Sequence, residues 1–100
     1  MIKHIVLFKL KEFNNDEEKQ VALNHLANQL LELRSLIPEL KFIEVGKNYQ
    51  LNAASFDLCL ISHFETIDDL NVYQSHPEHL KVGDYVKTIS TERAAVDFEI

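Results

Sequence analysis

Residues 2–10 place apolar side chains on both strand parities: Ile2, His4, Val6, Phe8 and Leu10 on one, Ile5 and Leu7 between Lys3 and Lys9 on the other. Successive side chains of a strand point to opposite faces, so this spacing predicts a strand covered on both sides through its middle. Helices of a small domain can cover one face. The second face needs another cover, and the pattern points to a partner chain. Residues 11–15 are polar and turn-like. Asn14 or Asn15 is placed to cap a helix whose first turn, Asp16-Glu17-Glu18, suits the positive helix end. From 16 to 37, apolar residues recur at helical spacing: Val21, Ala22, Leu26, Leu30, Leu33 and Ile37, with Leu23, Ala27 and Leu31 widening the stripe. Pro38 ends that helix. His25 falls at the edge of the stripe, a surface or boundary position.

Residues 40–49 read as a strand, with Ile43, Val45, Lys47 and Tyr49 on one parity and Gly46 marking a bulge or a close backbone approach. A polar loop over 50–55 leads to a second strand over 56–65, and the short connection predicts an antiparallel hairpin. Phe56, Leu58, Leu60, Ser62 and Phe64 share one side of that strand; Asp57, Cys59, Ile61 and His63 share the other. Leu60 is taken to represent the sheet face turned away from the helices. Thr66 with Asp69 resembles a capping box that opens a short helix through Leu70 and Tyr73. Ser75 with Glu78 reads as a second box, and Pro77 fits the first turn of a helix over 77–90. Leu80, Val82, Tyr85, Val86 and Ile89 are its expected core positions. Gly83 inside it costs about 1 kcal/mol of helix propensity, which suggests close packing. Residues 93–100 return to strand, with Val96, Phe98 and Ile100 facing one way and Asp97 and Glu99 the other. The order β-α-β-β-α-β predicts an α+β fold, a ferredoxin-like βαββαβ protomer with a four-stranded antiparallel sheet and helices on one face. Two such sheets packed face to face would bury about 2,000 Å² or more, as obligate dimers do.

Length and charge narrow the partners. One hundred residues make one domain, over 1–100. The formal charge is −6, and the ten Lys and Arg residues are scattered singly. Nucleic acid and anionic membranes both require clustered basic residues, so neither is expected. Cys59 is the only cysteine, which excludes an intrachain disulfide and fits a small core residue in a reducing compartment. The start, Met1-Ile2-Lys3-His4, leads straight into a strand pattern rather than a signal peptide, and no apolar run approaches the ~18 residues that span a bilayer. A cytoplasmic location is expected.

Six pieces of the chain stand together in order: Ile2-Lys3-His4-Ile5-Val6-Leu7-Phe8-Lys9, Ile37-Pro38, Glu44-Val45-Gly46-Lys47-Asn48, Phe64-Glu65, Tyr73-Gln74-Ser75-His76-Pro77-Glu78-His79 and Val96-Asp97-Phe98. Together they resemble the stress-responsive A/B barrel (Dabb) domain family of the dimeric α+β barrel group. The resemblance implies a homodimer whose sheets close into a barrel. It also implies either a stress-induced protein of undefined molecular activity or a small cofactor-free enzyme. In members like olivetolic acid cyclase, the positions of His4 and His79 are pocket histidines and that of Tyr73 is a pocket tyrosine. Leu30 and Leu58 stand where such members carry polar pocket residues, which argues against the same reaction but not against a pocket.

The candidate site is therefore His79, Tyr73 and His4. His79 lies in the first turn of a helix, where the positive helix end and burial both favour the neutral ring. A neutral imidazole in a pocket can act as a general base next to a carbonyl. Tyr73 would hydrogen-bond the same oxygen, and His4 would orient His79 or donate to substrate. The competing expectation is that these rings only tie the first strand to the helix. His76 is read as capping the helix before it. His76 and His79, with His63 nearby, raise the question of a metal, but no third ligand stands at firm spacing and no metal is expected. Ser62, Ser75 and Ser90 lack a nucleophile elbow. Gly46 and Gly83 are the only glycines and cannot build a phosphate loop, so neither ATP nor a nicotinamide cofactor is expected. The acidic pairs Glu17-Glu18 and Asp68-Asp69 are explained by helix starts.

Overall fold

The computed structural model describes residues 1–50, 52 and 54–100. Its elements run β1 (Ile2–Leu10), α1 (Asp16–Leu36), β2 (Phe42–Lys47), β3 (Leu58–Phe64), α2 (Ile67–Ser75), α3 (Pro77–Ile89) and β4 (Ser90–Glu99). The four strands form one antiparallel sheet in the order β2-β3-β1-β4. This is the ferredoxin-like βαββαβ arrangement, with its second helix broken into α2 and α3. Of the loop over 50–55, Leu51 and Ala53 lie outside the described residues. Among the described residues, no helix is long and apolar enough to cross a membrane.

The caps follow local chemistry. Asn15 accepts the Glu18 backbone N–H at 2.8 Å and opens α1, and Thr66 accepts that of Asp69 at 3.1 Å and opens α2. Between α2 and α3 the expected cap is displaced. The Ser75 hydroxyl donates back to the carbonyls of Asn71 and Val72, so it cannot serve the next helix. His76 takes that role, its Nδ1 accepting the Glu78 N–H at 3.1 Å, and Pro77 occupies the first helical position. The His76 ring therefore caps the helix that follows it, not the one that precedes it.

One sheet face is the core. Val6, Phe8 and Leu10 of β1 and Leu58, Leu60 and Phe64 of β3 pack with Leu26, Leu30 and Leu33 of α1, Leu70 of α2 and Val82, Val86 and Ile89 of α3. Leu60 is thus on the helix-covered face, 2% exposed, and not on the open one. The open face carries Ile5 and Leu7, Cys59 and Ile61, and Val96 and Phe98, set side by side by the strand register. Cys59 lies here, half-buried opposite Gly46 and Leu7, rather than in the core. The helices take the more apolar parity of each strand, Val6, Phe8 and Leu10 of β1 and Leu58, Leu60 and Phe64 of β3, while Ile5, Leu7 and Ile61 keep the other parity apolar enough to need a cover.

Three further expectations fail for packing reasons. Val21, Leu31 and Leu80 are exposed, because each lies just outside the arc that its helix turns to the sheet. Gly46 makes no bulge: the β2–β3 register runs through it unbroken, and a Cβ there would meet nothing within 4 Å. Gly83 is not closely packed either, since a Cβ there also meets nothing within 4 Å.

A buried carboxylate locks the hairpin to the rest. Asp57 accepts the Leu10 N–H at 2.7 Å, pairs with Lys19 of α1 at 2.8 Å, and donates its own N–H to the Phe8 carbonyl at 2.8 Å. Every oxygen of the buried charge has a partner, as its desolvation requires.

Candidate functional site

His4 on β1, Tyr73 on α2 and His79 on α3 are brought together by the fold. The ring centroids of Tyr73 and His79 are 4.5 Å apart, and those of His4 and Tyr73 6.4 Å. Phe64 completes the cluster, 4.9 Å from Tyr73. His4 is buried, and its Nδ1–H donates to Asp97 Oδ1 of β4. The carboxylate can only accept, so this bond fixes the ring's orientation.

His79 is three residues past the His76 cap, inside the first turn of α3. Burial lowers its pKa below the ordinary histidine value. The Arg93, His4 and His76 charges push the same way, while the Gln74 backbone works against them. Its buried Nδ1 has no hydrogen-bond partner, and neither has the Tyr73 hydroxyl. Burial holds that hydroxyl firmly protonated, despite the opposing charge of Arg93. A buried polar atom without a partner costs about 1–3 kcal/mol, so each is a group whose partner is wanting.

Beside this cluster the sheet and helices leave a hollow of about 170 Å³. Val6, Phe8, Leu30, Leu60, Val82 and Val86 form its apolar wall, and Gly83 leaves it open on the α3 side. His4 and His79 reach the hollow, whereas Tyr73 lies behind His79 and is fully buried. Leu30 is on the wall; Leu58 lies elsewhere in the core. His63 is on the open sheet face, stacked on Phe42 at 4.6 Å, and so is parted from His76 and His79. Among the described residues, no group of three His, Cys, Asp or Glu side chains could hold a metal ion.

Three residues at the hollow escaped the sequence reading. Asp97 orients His4, and Arg93 and Lys87 line the hollow itself. The parity of β4 carried the signal, since Arg93 and Asp97 alternate with Val96 and Phe98. It becomes legible only once β4 is paired with β1, which sets Asp97 opposite His4 and Arg93 opposite Phe8.

The model of the stress responsive A/B barrel domain, Dabb, matches residues 2–100. The chain belongs to the Dabb family. A stress-response A/B barrel domain-containing protein of Arabidopsis thaliana is 31% identical over 101 residues, covering 98% of this Dabb domain. The chain spans 46% of that relative's length. Among solved structures, a dimeric protein of unknown function and ferredoxin-like fold from Bacteroides fragilis is 37% identical, with a TM-score of 0.87, over 99% of this chain and 95% of that one. A hydroxynitrile lyase from Passiflora edulis superposes with a TM-score of 0.84 over 99% of this chain and 92% of the lyase, at 17% identity. At that identity the likeness speaks for the fold only.

Proposed function

We propose that this Dabb domain acts as a cytoplasmic homodimer, joined through the open sheet faces, that takes up a small and mostly apolar molecule between sheet and helices. The ligand reading rests on one observation: an aliphatic hollow of about 170 Å³ with the unpartnered Nδ1 of His79 beside it. An apolar cavity of about 150 Å³ holds a benzene-sized molecule. The dimer reading is supported by large apolar side chains left open on the sheet, with Val96 at 53% and Phe98 at 43% exposure. The relative from Bacteroides fragilis, described as dimeric, has the same architecture.

A second reading is favoured by His79 itself. Its ring is held neutral at pH 7 by burial, and its free nitrogen is suited to removing a proton next to a carbonyl. Tyr73 packs against His79 with its hydroxyl still protonated, and His4 is held in place by Asp97. The domain would then be a cofactor-free cyclase, isomerase or monooxygenase-like enzyme acting on a small carbonyl or aromatic compound.

Thermal-shift screening of small carbonyl and aromatic compounds, on the wild type and on His79→Ala, tests both readings. Compounds that raise the wild-type midpoint and lose that effect in the variant support the site. Mass spectrometry of the incubated hits separates turnover from binding. Shifts that are absent, or identical in the two proteins, would sink the proposal.

A further inference from the structure

The hollow's cations carry a second conclusion, which rests on the ligand-binding reading above. Arg93 and Lys87 both line it, and both are exposed, so they stand where the hollow meets solvent. Among the described residues, neither side chain makes a hydrogen bond or an ion pair. The nearby carboxylates are used elsewhere: Asp97 accepts from His4, and Glu92 pairs with Lys9 at 3.9 Å. Asp84 on α3 is exposed and off the wall. Arg93 lines the hollow together with His4 and His79, and its charge reaches both Tyr73 and His79. In a chain of net charge −6, two unpaired cations at the mouth of one apolar hollow run against the composition.

We infer that the molecule taken into the hollow is an apolar carboxylic acid, whose tail fills the aliphatic wall and whose carboxylate is held at the mouth by Arg93 and Lys87. Arginine's planar fork matches a carboxylate in two parallel hydrogen bonds, and lysine adds a point charge beside it. Each such bond is roughly twice as strong as its neutral counterpart. A neutral ligand of the same shape would leave both cations unpaired.

The test compares phenylacetate with phenylacetamide, which have the same shape but differ in charge. Both are titrated calorimetrically into the wild type, Arg93→Gln and Lys87→Gln. The expected result is that phenylacetate binds the wild type about tenfold or more tighter than the amide, more weakly as salt rises. Arg93→Gln should remove most of that preference and Lys87→Gln part of it. Equal binding of acid and amide by the wild type would overturn the carboxylate assignment while leaving the hollow a ligand site. Binding of neither would overturn both. The wild-type comparison stands even if one variant fails to fold.

Discussion

Gly83 offers the most direct test of whether the hollow is real space. It lies in the middle of α3 and on the hollow's wall, its φ is negative, and a Cβ there would meet nothing within 4 Å. Alanine at this position gains about 1 kcal/mol of helix propensity, with no clash to offset it. In a domain of this size, 1 kcal/mol raises the thermal midpoint by roughly 4–8 °C. The added methyl also takes about the share of one water, ~30 Å³, from the hollow. Gly83→Ala should therefore melt higher and bind hollow ligands slightly more weakly. Gly83→Leu should stay folded and lose them. Thermal unfolding at fixed protein concentration reads the first effect, since the midpoint of an associating protein depends on concentration. The ligand shifts of the three proteins read the second. A Gly83→Ala protein that melts below the wild type would mean that the space beside α3 is already filled, and the hollow would fall with it. Undiminished binding by Gly83→Leu would move the ligand elsewhere.

The open sheet face and the buried histidine give two more expectations. Ile61→Asp puts a charge at the centre of the proposed dimer contact, where desolvation costs several kcal/mol, roughly a thousandfold in dissociation constant; sedimentation should show a folded monomer, and a dimer as tight as the wild type would refute the contact. Because burial lowers the pKa of His79 from its ordinary 6.5, the folded state binds fewer protons than the unfolded state just below that pH. Its contribution to stability is then complete above about pH 6.5 and is lost as the pH falls toward the depressed value. Denaturant titrations at stepped pH should show a steeper acid decline for the wild type than for His79→Gln, and equal slopes would contradict the burial argument.

Much of the architecture was written in local signals. The two-parity run over 2–10, the helical stripe of α1, the Thr66 cap and the Pro77 helix start each depend on residues a few positions apart. They predicted the strands and helices within a residue or two at most ends. The failures came where a local signal had two outcomes. Ser75 and His76 both carry a cap acceptor, and the turn geometry chose His76. Gly46 and Gly83 suggested tight contacts, yet both face open space. At the site, the sequence alone points to His4, Tyr73 and His79. Their distances, the missing partner of the His79 ring, and the placing of Tyr73 behind that ring are products of the packing.

The sequence by itself determined the order of elements, the need for a cover on a second sheet face, and the poverty of basic clusters. Each follows from side-chain periodicity or charge count along the chain. Only the tertiary structure showed which parity of β3 the helices take, turning Leu60 inward and Ile61 outward, because both parities carry apolar residues and each needs a cover. It alone set Asp97 against His4 across 93 positions and Arg93 at the mouth of the hollow. Antiparallel pairing of the first and last strands joins the two ends of the chain, and no local pattern records that distance.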